Sequence, residues 1–185
     1  TPVILLLRPL VDAGLVAADA PIAVHALSGY TGGGRALIER WEDPALGLAK
    51  LVHEAPYALD RRHKHVPEMA RYAALASEPQ FVPAVGPFRC GMRVQIPLPA
   101  GMLGARVTAR ALWDALAARY RDEPFVEVAP IDVGGAFDER SLDPTALDGT
   151  NRVRLHVFPH PSGHVLLVGI LDNLGKGAAG AAVQN

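Results

Sequence analysis

The run Arg152-Val153-Arg154-Leu155-His156-Val157-Phe158, the turn Pro159-His160-Pro161-Ser162-Gly163, and the run His164-Val165-Leu166-Leu167-Val168-Gly169-Ile170-Leu171 decide the fold class. The first run alternates: Val153, Leu155 and Val157 share one side, and Arg154, His156 and Phe158 the other. That is the pattern of a half-buried strand. The second run is apolar on both sides and belongs in the interior of a sheet. A short turn between them predicts an antiparallel hairpin. Upstream, Ile22–Leu27, Phe81–Val85, Gly91–Leu98 and Phe125–Ala129 read as further strands. In Gly91–Leu98, Met92, Val94, Ile96 and Leu98 alternate with polar positions. Helices are expected at Ala36–Trp41, at Val66–Ala76 with Pro67 and Glu68 in the first turn, and at Val107–Arg121. In the last of these, Trp113, Leu116, Ala117 and Tyr120 fall on one face. The order shows no regular alternation of strand and helix. It predicts an α+β domain, a mixed or antiparallel sheet with helices on one face.

The chain has 185 residues, 50% of them hydrophobic and 20% charged, which suits a packed domain and excludes a disordered or coiled-coil chain. The 18 basic and 19 acidic side chains nearly cancel. No overall basic field recruits nucleic acid or an anionic membrane surface. One cysteine, Cys90, permits neither an intrachain disulfide nor a cysteine-based zinc site. No apolar run approaches the ~20 residues of a membrane helix, and no signal-peptide pattern is present. A cytoplasmic protein is the expectation.

Both ends suggest a piece of a longer polypeptide. Thr1-Pro2 reads as the cap and first turn of a buried helix through Val3–Leu7. Pro9 is expected to kink or end its first part, and Gly14 to stop it. Leu174–Asn185 is a Gly/Ala-rich segment with no terminal cap.

Three features carry candidate chemistry. Ser28-Gly29-Tyr30-Thr31-Gly32-Gly33-Gly34-Arg35 follows the first strand. Its small residues let backbone N–H groups approach an anion, with Arg35 adding charge; the alternative is a plain strand-to-helix turn. In His63-Lys64-His65-Val66-Pro67-Glu68, two imidazoles, an ammonium and a carboxylate crowd together. Acid/base chemistry, a metal site with two His and one Glu, and a solvated turn all remain open. Cys90, between Arg89 and Gly91 at the head of a strand, reads as structural. Asp138, Glu139, Asp143 and Asp148 read as a solvated acidic loop.

Taken together, Leu27-Ser28-Gly29-Tyr30-Thr31-Gly32-Gly33-Gly34-Arg35, Tyr57, His63-Lys64-His65-Val66-Pro67-Glu68-Met69, Leu147-Asp148-Gly149-Thr150-Asn151-Arg152 and the closing Leu171–Asn185 resemble the N-acetyl-γ-glutamyl-phosphate reductases, in their shorter branch. The resemblance implies a domain like the C-terminal domain of glyceraldehyde-3-phosphate dehydrogenase, working with a separate N-terminal NADP-binding domain. Residues 1–171 would be the substrate-binding and dimerisation domain, and 172–185 the start of a helix returning to the NADP domain. The implied activity is NADPH-dependent reduction of N-acetyl-L-glutamyl 5-phosphate to the 5-semialdehyde, in arginine biosynthesis. The family's nucleophilic cysteine lies in Asn-Pro-Gly-Cys-(Tyr/Phe)-x-Thr. Thr1 resembles the last position of that motif, so the nucleophile would precede residue 1, and Cys90 does not match. The resemblance makes His63 the acid/base group, supported by His65 and Glu68. It puts Ser28, Gly29, Gly32, Gly33, Arg35, Tyr57 and Asn151 at the substrate, and Asn173 and Gly175 near the nicotinamide. It implies a homo-oligomer and no metal, nucleic acid or membrane. Two rivals share the pattern: the matching domain of another semialdehyde dehydrogenase, such as the aspartate-semialdehyde type, and a non-catalytic dimerisation module.

Overall fold

The computed structural model describes residues 1–60, 62–104, 106–131 and 142–184. Helix α1 (Pro2–Asp12) comes first. Strand β1 (Ala23–Gly29) then leads through a 3₁₀ turn at Tyr30–Gly33 into α2 (Gly34–Glu42). The short strand β2 (Ala55–Pro56), α3 (His65–Tyr72), β3 (Gln80–Gly86) and β4 (Met92–Leu98) follow. After α4 (Ala109–Tyr120) come β5 (Val126–Val128), β6 (Val153–Pro159) and β7 (Val165–Leu171). A π-helical turn at Gly175–Ala179 continues into α5 (Gly180–Gln184).

The strands form one mixed sheet in the order β2-β3-β1-β4-β7-β6-β5. The β1/β3 and β5/β6 pairs are parallel and the others antiparallel. The expected hairpin is present, running from Val153 opposite Leu171 to Pro159 opposite Val165. β7 lies inside the sheet between β4 and β6, as its two apolar sides require.

Helices α1, α3 and α4 cover one face. Leu6, Leu7 and Leu10, Val66 and Met69, and Leu112 and Leu116 share a core with Val24, Val94, Ile96, Leu155 and Leu167. On the other face Val168 and Ile170 of β7 are also 0% exposed, packed with Leu147 and the partly buried Leu142, Phe158 and Leu166. The chain therefore covers part of its own second face, while His25 and Pro97 on that face stay exposed.

Three details differ from the pattern of the sequence. Helix α1 runs straight through Pro9 to Asp12. Proline removes the N–H that would bond to the Leu5 carbonyl, but the Tyr120 hydroxyl donates to that oxygen at 2.8 Å. Replacing Tyr120 by Phe is therefore expected to leave a buried carbonyl without its partner. Chemical denaturation should show a loss of about 1–3 kcal/mol. Helix α3 ends at Tyr72, short of Ala76, because Ala74 takes a left-handed conformation (φ 49–57° is confined to Ala58 and Ala74 among the described non-glycine residues). Leu75 N–H then bonds to the Ala70 carbonyl and Ala74 N–H to that of Arg71, which closes the helix. In α4 the buried stripe is Leu112, Leu116 and Tyr120, one position away from the expected Trp113. The indole needs a partner for its N–H, and it lies at the rim, donating to the Ala129 carbonyl at 2.7 Å.

The register brings one end of the sheet together. Ser28 pairs with Met92, Met92 with Leu171, and Leu171 with Val153. The segments that continue from these positions, 29–34, 89–91, 172–175 and 149–152, therefore meet at a single edge. The start of α1 lies over the same sheet at Gly169, where a β-carbon would come 2.7 Å from Pro2 Cβ.

Candidate functional site

At that edge Asn173 is the central side chain. It is 6% exposed. Its Oδ1 accepts from Gly91 N–H at 3.0 Å. Its Nδ2 faces Ser28 Oγ at 3.3 Å, the Gly29 carbonyl at 3.2 Å and Thr31 Oγ1 at 3.3 Å. Thr31 Oγ1 in turn donates to the Arg89 carbonyl at 2.6 Å. Two N–H hydrogens cannot serve three acceptors fully, so one of these contacts is exchangeable. Ser28 is the natural candidate, because its own hydrogen is directed at the Gly29 carbonyl at 3.1 Å.

The glycine-rich loop is held as much as it is open. The N–H groups of Gly29, Tyr30 and Thr31 donate to the carbonyls of Gly91, Phe88 and Arg89. They are thus not free to bind an anion, and any such role falls to Gly32 onward. A β-carbon on Gly32 would lie 3.1 Å from Asn173 Nδ2 and 3.2 Å from Ser28 Oγ, so Gly32 adjoins the same cluster. Gly33 lies against Leu37. Tyr30 stacks on Trp41 with centroids 5.5 Å apart and donates to Glu42, which also pairs with Arg89. This pins α2 to the turn before β4. Arg35 is not turned toward Ser28. Its side chain is 90% exposed and pairs with Glu39 at 2.7 Å.

The second cluster is the histidine run. His63 lies between the Tyr57 and Phe81 rings, with centroids 5.8 and 5.0 Å away, and beside His65 at 4.9 Å. His63 Nδ1 accepts from the His65 N–H at 3.3 Å, and Nε2 lies 3.5 Å from Tyr57 Oη. With Nδ1 accepting, the neutral ring carries its hydrogen on Nε2. Burial first, then His65 and Lys64, hold the His63 imidazole below its usual value, against Glu68. Partial burial also lowers His65, with Glu68 opposing and Lys64 assisting. Burial raises the Tyr57 phenol. Val3 and Leu6 of α1 share a core with Val66 and Met69 of α3. The start of α1 therefore lies on the side of the domain where the histidine run begins. Among the described residues no group of three His, Cys, Asp or Glu side chains is placed to hold a metal ion.

The remaining candidates form a third group. Asn151 Nδ2 donates to Gln184 Oε1 at 3.2 Å, and Gly175 lies against the Thr150 carbonyl. Asp172, 5% exposed, accepts from Gly149 N–H and Leu174 N–H, both at 2.9 Å. Residues 172–184 are thus docked on the domain. Cys90 is half-buried, its Sγ 3.7 Å from Thr31 Oγ1. In the acidic loop, Asp143 accepts from Thr145 N–H, and burial, then Asp172 and Asp143, raise the Asp148 carboxyl. Asp138 and Glu139 lie outside the described residues. Sequence reasoning missed Thr31, Gly91, Gly169 and Lys176. Thr31 and Gly91 sit inside motifs already singled out, but nothing in their spacing marks them as partners of Asn173.

Residues 1–173 match the family model described as semialdehyde dehydrogenase, dimerisation domain. N-acetyl-gamma-glutamyl-phosphate reductase 2 of Pseudomonas putida is 47% identical over 186 residues, covering 100% of this chain and 58% of that protein. The N-acetyl-gamma-glutamyl-phosphate reductase of Burkholderia cenocepacia is 47% identical over 181 residues, covering 97% of this chain and 57% of that protein. The chain thus spans less than two thirds of the length of these relatives. The crystal structure of aspartate semialdehyde dehydrogenase II from Vibrio cholerae superposes with a TM-score of 0.65 at 18% identity, covering 99% of this chain and 57% of that one. The aspartate semialdehyde dehydrogenase of Francisella tularensis gives 0.66 at 14% identity, with 96% and 59% covered. These structures share the fold. Among the described residues no helix is long and apolar enough to cross a membrane.

Proposed function

Because the chain belongs to the semialdehyde dehydrogenase dimerisation-domain family, we propose that it is the substrate domain of an N-acetyl-γ-glutamyl-phosphate reductase. The longer protein would reduce N-acetyl-L-glutamyl 5-phosphate to the 5-semialdehyde with release of phosphate, in arginine biosynthesis. One observation carries the reading: α1 packs on the helix that carries the histidine run, Val3 and Leu6 sharing a core with Val66 and Met69, so the start of α1 lies on the side of the domain where that run begins. In this family pattern the nucleophilic cysteine comes just before Thr1, and it would enter the domain beside His63 and His65.

In this reading the His63 imidazole takes the thiol proton before attack on the acyl phosphate and returns a proton to the oxyanion left after reduction. Taking the thiol proton needs the tautomer with Nε2 free, which gives up the 3.3 Å contact of the His65 N–H to Nδ1; the tautomer with its hydrogen on Nε2 is the donor. Ser28, Gly29 and Gly32 border the substrate, with Tyr57 limiting the space beside His63. Asn173 keeps its proposed place near the nicotinamide of NADP; its Nδ2 would reach the cofactor only by releasing Ser28, Gly29 or Thr31. Gly175 keeps its proposed place near the nicotinamide, with the Thr150 carbonyl packed against it on the domain side. NADPH supplies the hydride, and its binding belongs mainly to a separate N-terminal domain. Arg35, paired with Glu39, and Asn151, bonded to Gln184, would have to leave these partners to touch substrate. The protein is proposed to act as a homo-oligomer in the cytoplasm, joined through the part of the second sheet face around His25 and Pro97 that the chain leaves open.

The test is turnover by the full-length protein: NADPH oxidation with N-acetyl-L-glutamyl 5-phosphate, and phosphate-dependent NADP reduction with the semialdehyde. The 185-residue chain alone should show neither. Turnover of aspartyl phosphate in place of the acetylglutamyl compound would move the protein to the aspartate-semialdehyde type. Cys90→Ser should keep most activity. A loss above about a thousandfold, the scale of removing a catalytic group, would make Cys90 the nucleophile.

A further inference from the structure

Lys176 is buried, 7% exposed, in the middle of the π-helical turn. Its ammonium donates to Gln184 Oε1 and lies 5.4 Å from the centroid of the Phe125 ring. Among the described residues no carboxylate comes within ion-pair distance of it. Burial pushes it below its usual value, with Glu123 pulling the other way. An apolar side chain would fill this place without the desolvation cost of an ammonium. What the ammonium adds is directional: it ties α5 to the segment leading into β5. Gln184 Oε1 also accepts from Asn151 Nδ2, which adds the turn before β6 to the same knot.

The glycines of this segment make the docking possible. Gly175 lies against the Thr150 carbonyl and Gly177 against the Asp172 carbonyl, where a β-carbon would be 3.2 Å away. Gly180 lies against Asn151 and the Gly175 carbonyl, where a β-carbon would be 2.8 Å away. Between Asn173 and α5 the chain takes the wider π turn, with Ala179 N–H bonded to the Leu174 carbonyl and Gly177 N–H to that of Asp172, each at 2.9 Å. A π turn is less favourable than an α turn and persists where tertiary contacts support it. Its one extra residue shifts everything beyond it by about 100° around the helix axis.

We propose that Lys176, acting through Gln184 and Phe125, is a positioning residue that holds this π turn and so sets the rotation of the departing helix relative to Asn173. The inference rests on the proposed function for its catalytic consequence, but not for its structural one. If the knot opens, the turn relaxes toward an α-helix. Asn173 and the helix beyond it then no longer present a common surface to the nicotinamide.

The experiment uses the full-length protein with Lys176→Met, which keeps an apolar stem, and Gln184→Leu, which sits at an exposed position and does not threaten the core. Both are expected to raise KM for NADPH about tenfold, the scale of one charge-assisted hydrogen bond, with kcat within about threefold of wild type. Both should also speed amide hydrogen exchange in 176–184 about tenfold or more while leaving β4 and β7 protected. Gln184→Glu, whose carboxylate can accept from both Lys176 and Asn151, should keep both readouts near wild type. Wild-type exchange in 176–184 for Gln184→Leu and Lys176→Met would overturn the proposal. So would faster exchange accompanied by unchanged KM in an enzyme that does turn over N-acetylglutamyl phosphate. If the wild-type protein fails that turnover, the proposed function falls, and the exchange data still decide whether Lys176 holds the turn.

Discussion

Replacing His63 by Asn in the full-length enzyme will lower kcat by about 10²–10⁴, the usual range for an acid/base group. The expectation follows from its surroundings. His63 is half-buried between Tyr57 and Phe81, its Nδ1 accepts the His65 N–H, and its Nε2 remains for chemistry. Asn cannot exchange a proton near neutral pH, although it fills a similar volume. KM for NADPH will change little, because the proposed function assigns the cofactor mainly to another domain. His65→Asn will cost less, since His65 is exposed and its N–H, which positions His63, is backbone. The pH profile adds a sign. Burial and the neighbouring cations keep His63 below its usual 6.5, so the acid limb of kcat/KM will fall below pH 6.5. Removing His65 takes away a charge that disfavours His63 protonation, so the limb will move toward higher pH. Near-normal kcat for His63→Asn with a dead His65→Asn would exchange the two roles, and an unchanged kcat in both would remove the run from the chemistry.

The second large effect is expected at Gly29. Its φ is −60°, a value any residue adopts, so conformational freedom is not the reason for glycine here. Close approach is. A β-carbon would lie 2.7 Å from the Arg89 carbonyl carbon and 2.8 Å from Cys90 N, both backbone atoms. Neither can swing aside as a side chain would. Gly29→Ala must therefore separate β1 from the 89–91 turn, breaking the Gly29 N–H bond to the Gly91 carbonyl and disturbing Asn173 between them. A loss of about 3 kcal/mol, the upper end of overpacking costs, is expected. In a domain of this size that is a fall in Tm of roughly 10 °C, read by thermal unfolding. Gly34→Ala is the contrast. Its φ is +73° and ψ −169°, a conformation essentially confined to glycine, with nothing within 4 Å of the added carbon, so backbone strain alone, of about 1–3 kcal/mol, should appear. Equal stability of Gly29→Ala and wild type would mean that the 89–91 turn is free to move, and the keystone role of Asn173 would go with it.

Local patterning accounts for most of the elements. The alternation in 153–158 and the two apolar sides of 165–171 depend on side chains only one or two residues apart, so both strands and their hairpin were legible. The same holds for α1 and its stop at Gly14. Where expectation and structure part, a distant residue intervenes. Tyr120 carries α1 past Pro9 by accepting the role of the missing N–H donor, across more than a hundred residues. Trp113 is drawn to the rim of α4 by the Ala129 carbonyl. The covering of β7 on its second face by the segment around Leu147 was also invisible, because it needs a loop to fold back on the sheet.

For the site, the sequence by itself determined part of the chemical inventory: a glycine-rich loop and two histidines beside a carboxylate, with Asn173 entering only through the family resemblance. Residue type and spacing suffice for that, since they set which protons and donors a segment can offer. Which of these groups meet was decided only by the tertiary structure. The sheet register puts the ends of β1 and β7 beside the start of β4, so Asn173 reaches Ser28, Thr31 and Gly91, while Arg35 turns outward to Glu39 and Asn151 goes to Gln184. Gly169 lets Pro2 lie on β7, and the start of α1 thereby lies on the side of the domain where the histidine run begins. The physical reason is that hydrogen bonds between residues 58 to 145 apart, and the close approach of Pro2 to Gly169, depend on strand order and register, which no local pattern encodes.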